Sequence, residues 1–296
     1  MKRQASFYSE GSRIAAELYL PDDGVQPRPA VVLAHGFCGV KELFLPAYAE
    51  RLARAGFVGL AFDYRGFGES EGERGRLVPY EQMADIRNAI TFLRTLPEVN
   101  ADAIGLWGTS FGGANVLRVA AIDRRVKALV AQLTFASGAR MVTDGKSDEQ
   151  RQQLEGTLRK ALEREVTKNR PLRVPPDQLI TDEDSKAFFP QIAHDFPALA
   201  DTRIPVSLLG HIMEHNPEDE VDKIACPVLI IAAGADVVVP PSESQVLFDR
   251  IRSQKRLIVL PECRHYSAYS GEAFETGISE ILTWFSTHLK PAAAPA

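Results

Sequence analysis

The stretch Ile104-Gly105-Leu106-Trp107-Gly108-Thr109-Ser110-Phe111-Gly112-Gly113 decides the fold. An apolar run typical of a buried strand leads into a Gly-x-Ser-x-Gly pattern, and residues 114–121 that follow are typical of a helix. A serine on so sharp a strand-to-helix turn adopts a strained backbone that exposes its hydroxyl. Gly108 and Gly112 leave room for the strand and the helix to approach each other. The simpler alternative is a glycine-rich turn whose serine only caps the helix.

Apolar runs and helical patterns alternate on both sides of this stretch. We predict an N-terminal hairpin at residues 6–20, strands at 30–34, 58–62, 126–133, 227–233 and 256–260, and helices at 43–55, 80–96, 242–252 and 272–289. Continuous apolar runs are typical of strands buried on both faces of a parallel sheet. The sequence therefore predicts an α/β fold with a mostly parallel sheet and helices on both faces. Ligands of such sheets bind at the carboxyl ends of the strands.

The alternation of strands and helices stops between residues 137 and 222. A charged helix is predicted at 147–168, and we interpret its apolar side chains, which recur every four residues, as a packing face: Leu154, Leu158, Leu162 and Val166. We predict that residues 137–222 form a helical cap insertion over a core made of residues 1–136 and 223–290. The low-complexity tail, residues 291–296, is predicted to be disordered.

Three predicted strand ends carry a serine, an aspartate and a histidine, in the chain order Ser110, Asp236, His265. A serine hydroxyl is a poor nucleophile, so a neutral imidazole must accept its proton during attack. His265 is the predicted base, which later protonates the leaving group. Asp236 would hold the imidazole tautomer and stabilise the imidazolium. Glu262 is the nearest alternative acid, but it follows the same strand as the histidine.

With these motifs the chain resembles the α/β-hydrolase superfamily over essentially its whole length. The resemblance is carried by His35-Gly36-Phe37, Asp63-Tyr64-Arg65-Gly66-Phe67-Gly68, Gly108-Thr109-Ser110-Phe111-Gly112, Gly234-Ala235-Asp236 and His265. Within the superfamily the chain is most similar to the bacterial branch of dienelactone hydrolase-like and Xaa-Pro-peptidase (S15)-like serine esterases. The turn itself makes the Phe111 N–H one donor of an oxyanion hole, and the resemblance implies the Phe37 N–H as the other.

The chain departs from that branch at two positions. Dienelactone hydrolases have a cysteine where Ser110 stands, and S15-type enzymes have a tyrosine where Phe37 stands. The sequence predicts instead a serine hydrolase that cleaves a carboxylic ester or thioester through an acyl-enzyme. The same triad also serves acyl transfer and the cleavage of amide, peptide or C–C bonds, which stay alternatives. A ligand-binding protein without catalysis is the alternative from another functional class.

The predicted substrate pocket draws on both the core and the cap. Its walls are assigned to Val237, Val238 and Tyr266 from the core and to Phe188 and Phe189 from the cap. Serine acyl transfer requires no cofactor. We also predict no metal site, because the histidines lack metal-ligand spacing with nearby cysteines or carboxylates.

Composition narrows the partners that we expect. A net charge of −5 does not favour a nucleic-acid-binding surface. No apolar run approaches the length of a membrane span, and no apolar segment follows the basic N-terminus, so we expect neither a membrane anchor nor a signal peptide. The three cysteines form no CxxC pair, which is typical of reduced thiols. We expect a cytoplasmic protein that acts on a small-molecule acyl substrate, with homo-oligomer formation left open.

Overall fold

The computed structural model describes residues 1–22, 26–180, 182–196, 199 and 201–289. The predicted disordered tail at residues 291–296 therefore lies outside the described residues. None of the helices in these ranges is long and apolar enough to cross a membrane.

An eight-stranded sheet forms the centre of the molecule. Its strands are β1 (Lys2–Ser9), β2 (Ser12–Tyr19), β3 (Arg28–Ala34), β4 (Val58–Phe62), β5 (Val99–Thr109), β6 (Val126–Gln132), β9 (Val228–Ala233) and β10 (Lys255–Leu260). Their order is β1-β2-β4-β3-β5-β6-β9-β10. The β1–β2 and β2–β4 pairs are antiparallel and the other pairs are parallel. The predicted α/β class is confirmed, although β5 begins five residues before the predicted apolar run.

Helices cover both faces of the sheet. They are α1 (Leu45–Arg54), α2 (Pro79–Arg94), α3 (Phe111–Ile122), α8 (Pro241–Arg250) and α9 (Gly271–His288). Alternate side chains of each parallel strand enter different cores, as in β3, where Val32 lies in the core under α2 and α3 and Leu33 in the core under α1 and α9. This two-sided burial explains the nearly continuous apolar runs in the central parallel strands.

Between β6 and β9 the chain forms short helices around a long one. This region contains α4 (Gly138–Thr143), α5 (Asp148–Lys168), α6 (Glu183–Asp195) and α7 (Leu209–Met213), with the antiparallel pair β7 (Arg173–Val174) and β8 (Ile204–Pro205). We call residues 137–222 the cap segment. Apolar residues around α6 pack on the loop after β3 in a small separate cluster that includes Val40, Leu43, Phe188, Phe189 and Ile192.

The interpretation of the α5 leucine repeat as a packing face is wrong for its second half. Leu162 is 53% exposed and Val166 is 76% exposed, whereas Ala161 is buried. A four-residue repeat advances by about 40° per step around a helix of 3.6 residues per turn. The repeat that starts at the half-buried Leu154 and Leu158 has therefore turned toward solvent by Leu162.

Candidate active site

The turn between β5 and α3 holds Ser110 in a strained backbone conformation, with φ 53° and ψ −122°. Its N–H donates to the carbonyl of Gln132 at the end of β6, at 2.8 Å. A Cβ on Gly108 would lie 2.3 Å from the Gly112 carbonyl oxygen, and a Cβ on Gly112 would lie 2.3 Å from that of Ala34. A side chain at either position would therefore clash with the backbone. The turn that these two glycines permit places the serine at the carboxyl end of the sheet.

The loop after β3 lies directly against this serine. A Cβ on Gly36 would lie 3.1 Å from the Ser110 Cβ. The rings of Phe37 and Phe111 meet edge to face, with centroids 6.3 Å apart. Among the described residues, neither the Phe37 N–H nor the Phe111 N–H has a hydrogen-bond acceptor. Two unpaired backbone donors beside a strained serine could together bind an anionic oxygen.

The loops after β9 and β10 bring Asp236 and His265 together. The Ala235 N–H donates to the Cys263 carbonyl at 2.9 Å, which holds the two loops in register. The His265 Nδ1–H donates to Asp236 Oδ2 at 2.7 Å, and both side chains are buried. The other carboxylate oxygen accepts the N–H groups of Val238 and Val239 at 2.9 and 2.8 Å. The aspartate is thereby fixed, and it fixes the ring orientation of the histidine.

Ser110 and His265 line the same cavity, which has a volume of about 70 Å³. No hydrogen bond joins the Ser110 hydroxyl to His265 within the described part of the chain. Such contacts are often long in an empty site and shorten when substrate binds. Because the His265 Nδ1–H is bonded to Asp236, Nε2 is the ring nitrogen that could accept a proton from the serine.

Aromatic side chains form the outer walls of the cavity. The Phe188 ring stacks on Tyr266 and the Phe44 ring stacks on Tyr269, each with centroids 3.9 Å apart. Tyr269 also shares a hydrogen bond of 2.7 Å with the Thr109 hydroxyl, next to the serine. The sequence analysis did not identify Phe44 and Tyr269. The position of Tyr269 three residues after Tyr266, on one short helical turn, was a usable signal for the second of these.

Four of the five predicted pocket residues line the cavity: Val238, Tyr266, Phe188 and Phe189. Val237 is not among the lining residues, and it is 51% exposed. The turn held by Asp236 brings Val238 to the cavity and leaves Val237 at the surface.

His35 forms part of the cavity floor as a neutral imidazole. Burial lowers its pKa to about 4. Its Nδ1–H donates to the Gly36 carbonyl at 3.1 Å, and its Nε2 has no partner. The ring also meets Tyr64 edge to face. His35 therefore contributes an uncharged surface beside Ser110.

One group of carboxylates could, by distance alone, hold a metal ion. Oxygens of Glu42, Asp63 and Glu69 lie within 4.8 Å of one another. The ammonium group of Lys41 is hydrogen-bonded to all three carboxylates, so it already occupies the place of a cation and balances their negative charge. The group faces the loop after β3 and is not part of the cavity lining.

Comparison with known families agrees with this geometry. Residues 25–268 match the family model described as serine aminopeptidase, S33. The chain belongs to this family of α/β hydrolases. The predicted fold class and superfamily are thus confirmed, whereas the resemblance to the dienelactone hydrolase and S15 branch is not.

The relatives of this S33-family chain do not share one named activity. It is 38% identical over 282 residues to a 31.7 kDa protein of the traX-finO intergenic region of Escherichia coli, covering 95% of this chain and 97% of that one. It is 42% identical over 123 residues to the thiohydrolase aneE of Aspergillus aculeatus, covering 41% and 38% of the two chains. The polyketide transferase grgF of Penicillium sp. is 26% identical, covering 89% and 90%. The crystal structure of GrgF superposes with a TM-score of 0.83, covering 98% and 99%.

Proposed function

We propose that this protein is a serine hydrolase that cleaves a carboxylic ester or thioester through an acyl-enzyme. In this proposal Ser110 is the nucleophile, His265 the general base and Asp236 the residue that orients the base. The observation that carries the proposal is the strained Ser110 in one cavity with His265, whose Nδ1–H is bonded to Asp236. The unpaired N–H groups of Phe37 and Phe111 support an oxyanion hole.

The composition of the cavity wall supports an uncharged acyl group. No aspartate, glutamate, lysine or arginine is among the described residues that line it. An aminopeptidase must bind the ammonium group of a peptide N-terminus, and burying that charge without a partner is strongly unfavourable. Despite the family's name, an ester or thioester of a small apolar acid therefore fits this cavity better than a peptide. The thiohydrolase relative supports the thioester in particular.

Acyl transfer is the second candidate. It is favoured by the polyketide transferase relative, which matches most of the chain. The two reactions share the acyl-enzyme and differ in whether water or another nucleophile resolves it. Adding small alcohols or thiols during turnover separates them, since a transferase yields more transfer product than hydrolysis product.

Two features bear on where and how the protein acts. All three cysteines are buried and unpaired, which supports a reducing compartment such as the cytoplasm. Phe188 and Phe189 reach the cavity from the cap segment, which supports a cap that selects among acyl groups. We expect substitution of Phe188 to change the preference for acyl chain length more than the labelling by a small fluorophosphonate.

Covalent labelling tests the proposal directly. A fluorophosphonate should modify the peptide that contains Ser110, and mass spectrometry locates the adduct. Ser110→Ala should abolish the adduct and leave only a residual rate of about 10³–10⁴ over water. Ser244→Ala, which removes another buried serine that is not among the residues lining the cavity, is the matched control and should label like the parent. A folded Ser110→Ala protein with the parental esterase rate would overturn the proposal.

An isosteric substrate pair tests the uncharged acyl group. The p-nitrophenyl esters of isobutyric acid and alanine differ only by a methyl group in place of an ammonium group. We expect the neutral ester to have a kcat/KM at least about 10²-fold higher, because the ammonium would be buried without a partner. Equal values would contradict the assignment of an uncharged acyl group. His265→Ala should lower both rates by several decades.

A further inference from the structure

A buried lysine lies among carboxylates beside the loop after β3. The Lys41 side chain is fully buried, and its ammonium group donates to Asp63 Oδ2 at 3.0 Å and to Glu69 Oε2 at 2.6 Å. It also donates to Glu42. A buried lysine is tolerated only when it is paired in this way. The ion pair between Lys41 and Asp63 is not in contact with the cavity, so it does not act on a substrate directly.

Asp63 holds both the backbone and the side chain of Lys41. Its Oδ1 accepts the Lys41 N–H at 2.7 Å, while its Oδ2 accepts the ammonium group and the Glu69 N–H, the latter at 2.9 Å. The turn that follows β4 wraps closely around this carboxylate, since a Cβ on Gly68 would lie 2.2 Å from it. Asp63, at the end of the neighbouring strand β4, thus fixes the path of the backbone at residue 41.

The segment that Asp63 holds is strained on both sides of Lys41. Cys38 has φ 57° and Phe44 has φ 63°. Such conformations are unfavourable for residues with side chains, and they persist only where surrounding contacts enforce them. Cys38 directly follows Phe37, whose N–H is unpaired, and the Phe44 ring stacks on Tyr269 at the cavity wall.

We propose that Asp63 and Lys41 are positioning residues that hold the loop of residues 35–44 so that the Phe37 N–H points at the developing oxyanion. This inference rests on the proposed function. An oxyanion donor is effective only when its direction is fixed before the reaction, because a donor that must reorient loses its electrostatic advantage. The strained loop has no regular secondary structure of its own, so the direction of its N–H depends on what anchors it.

The chain offers a matched control for this pair. Asp85 accepts the backbone N–H of Arg65 at 3.0 Å and its guanidinium group at 2.9 and 2.7 Å. Both Asp63 and Asp85 are fully buried, and each binds the backbone and the cation of one residue. The Arg65–Asp85 pair contacts β1 through Ser9, and its hydrogen bonds include none to the described loop of residues 35–44. Loss of either ion pair should lower the free energy of unfolding. Only loss of the Lys41–Asp63 pair should also weaken the stabilisation of the oxyanion.

The test compares oxoesters with thionoesters, in which sulfur replaces the carbonyl oxygen. Sulfur accepts N–H hydrogen bonds weakly, so the ratio of the two rates reports the oxyanion hole and not general stability. Asp63→Asn should lower kcat for the oxoester by about 10- to 10²-fold, less than complete loss of a donor. KM should change by no more than about threefold, and the oxoester-to-thionoester ratio should fall toward one. Asp85→Asn should keep the parental ratio.

The milder variant Glu69→Gln keeps the proposal testable if Asp63→Asn does not fold, because the Glu69 carboxylate is 70% exposed and its substitution should leave the fold intact. It should lower the ratio by a few-fold. Parental ratios in folded Asp63→Asn or, where that variant does not fold, in Glu69→Gln would overturn the positioning role while leaving Ser110-dependent turnover intact. A parent protein without Ser110-dependent turnover would overturn the proposed function, and the positioning role with it.

Discussion

Two of the regions where the cap segment contacts the α/β core differ in burial and in the number of hydrogen bonds. We call the first the hinge network; it joins the two ends of the segment through Ser137, Arg140, Asn216, Glu218 and Glu243. We call the second the tip contacts; they join α6 to the loop around His265 through Asp184, Ser185, Phe188, Arg264 and Tyr266. The hinge network surrounds a buried carboxylate, whereas one of the tip contacts is largely exposed.

Glu243 is the centre of the hinge network. One of its oxygens accepts the N–H groups of Ala136 and Ser137 at 2.8 and 3.0 Å, and the other accepts from Arg140 Nε at 2.6 Å. Arg140 also binds Glu218 through both terminal nitrogens. The Ser137 hydroxyl donates to Asn216 at 2.7 Å, which ties the entry of the segment to its exit.

The tip contacts are fewer, and they flank His265 in the chain. Arg264, which is more than half exposed, donates to Asp184 at 3.0 Å. The hydroxyls of Ser185 and Tyr266 share a hydrogen bond of 2.8 Å. An exposed ion pair and one neutral hydrogen bond contribute about 1 kcal/mol each at most. From this difference we expect opening of the cap segment to begin at the tip, next to the base, while the hinge network stays intact.

Removal of the hinge carboxylate should have the largest effect. Glu243→Ala leaves two buried N–H groups unpaired and removes a charged bond, so we expect a loss of about 3–5 kcal/mol in the free energy of unfolding. Urea denaturation measures it. Glu280→Ala, which removes an exposed pair with Arg256, is the control and should cost less than about 1 kcal/mol. Similar losses for both variants would contradict the special role of the hinge.

Acidic pH should also lower the free energy of unfolding, through the buried His215 near the hinge network. Burial, with the charge of Arg118, lowers the pKa of His215 from 6.5 to about 3. The unfolded chain therefore binds a proton at a pH where the folded protein does not. The stability is complete above pH 6.5 and falls as the pH decreases toward 3, with a loss of about 3 kcal/mol at pH 4 from this group alone.

A neutral substitute should remove that part of the acid sensitivity. Between pH 7 and pH 4, His215→Gln should lose about 3 kcal/mol less stability than the parent in urea denaturation. The exposed His194→Gln is the control and should follow the parent. Identical pH profiles for the parent and His215→Gln would mean that the buried ring is protonated in the folded state.

A tip variant should affect local opening much more than global stability. Tyr266→Phe keeps the ring that stacks on Phe188 and removes only the hydrogen bond to Ser185. A loss of about 1 kcal/mol corresponds to about a fivefold increase in opening. Hydrogen exchange should show this increase in the amides of α6, with those of α4 at the hinge unchanged. Equal increases in both helices would show that the cap segment opens as a whole.

The parts of the site that depend on local sequence patterns were predictable, whereas the parts that depend on contacts between residues distant in sequence were not. Ser110, Asp236 and His265 each follow an apolar run, and the rule that parallel strands end at one edge was enough to expect them close together. Phe44 was not predictable, because its role depends on a positive φ and on stacking with a residue 225 positions away. The hinge network likewise joins residues about 80 to 100 positions apart, and no local pattern indicates such contacts.

The α5 repeat shows the same limit within one helix. A period of four residues looks amphipathic over two turns, but the face that packs follows the period of 3.6 and runs through Leu154, Leu158, Ala161 and Glu165. Glu165 accepts a hydrogen bond from Ser207, which extends this face beyond its apolar part. The sequence shows which residues are apolar, but tertiary contacts decide which of them are buried.

The smallest effect is therefore expected at Leu162, where the leucine repeat has turned away from the core. Leu162→Gln should change the free energy of unfolding by no more than about 0.5 kcal/mol, as for other exposed positions. Leu158→Gln, one turn earlier and half-buried, should cost about 1 kcal/mol because it loses apolar contact area. Urea denaturation of the two variants side by side makes the comparison. A larger loss at Leu162 than at Leu158 would mean that the exposed half of the repeat is covered in solution, and light scattering would then show whether a second copy of the chain covers it.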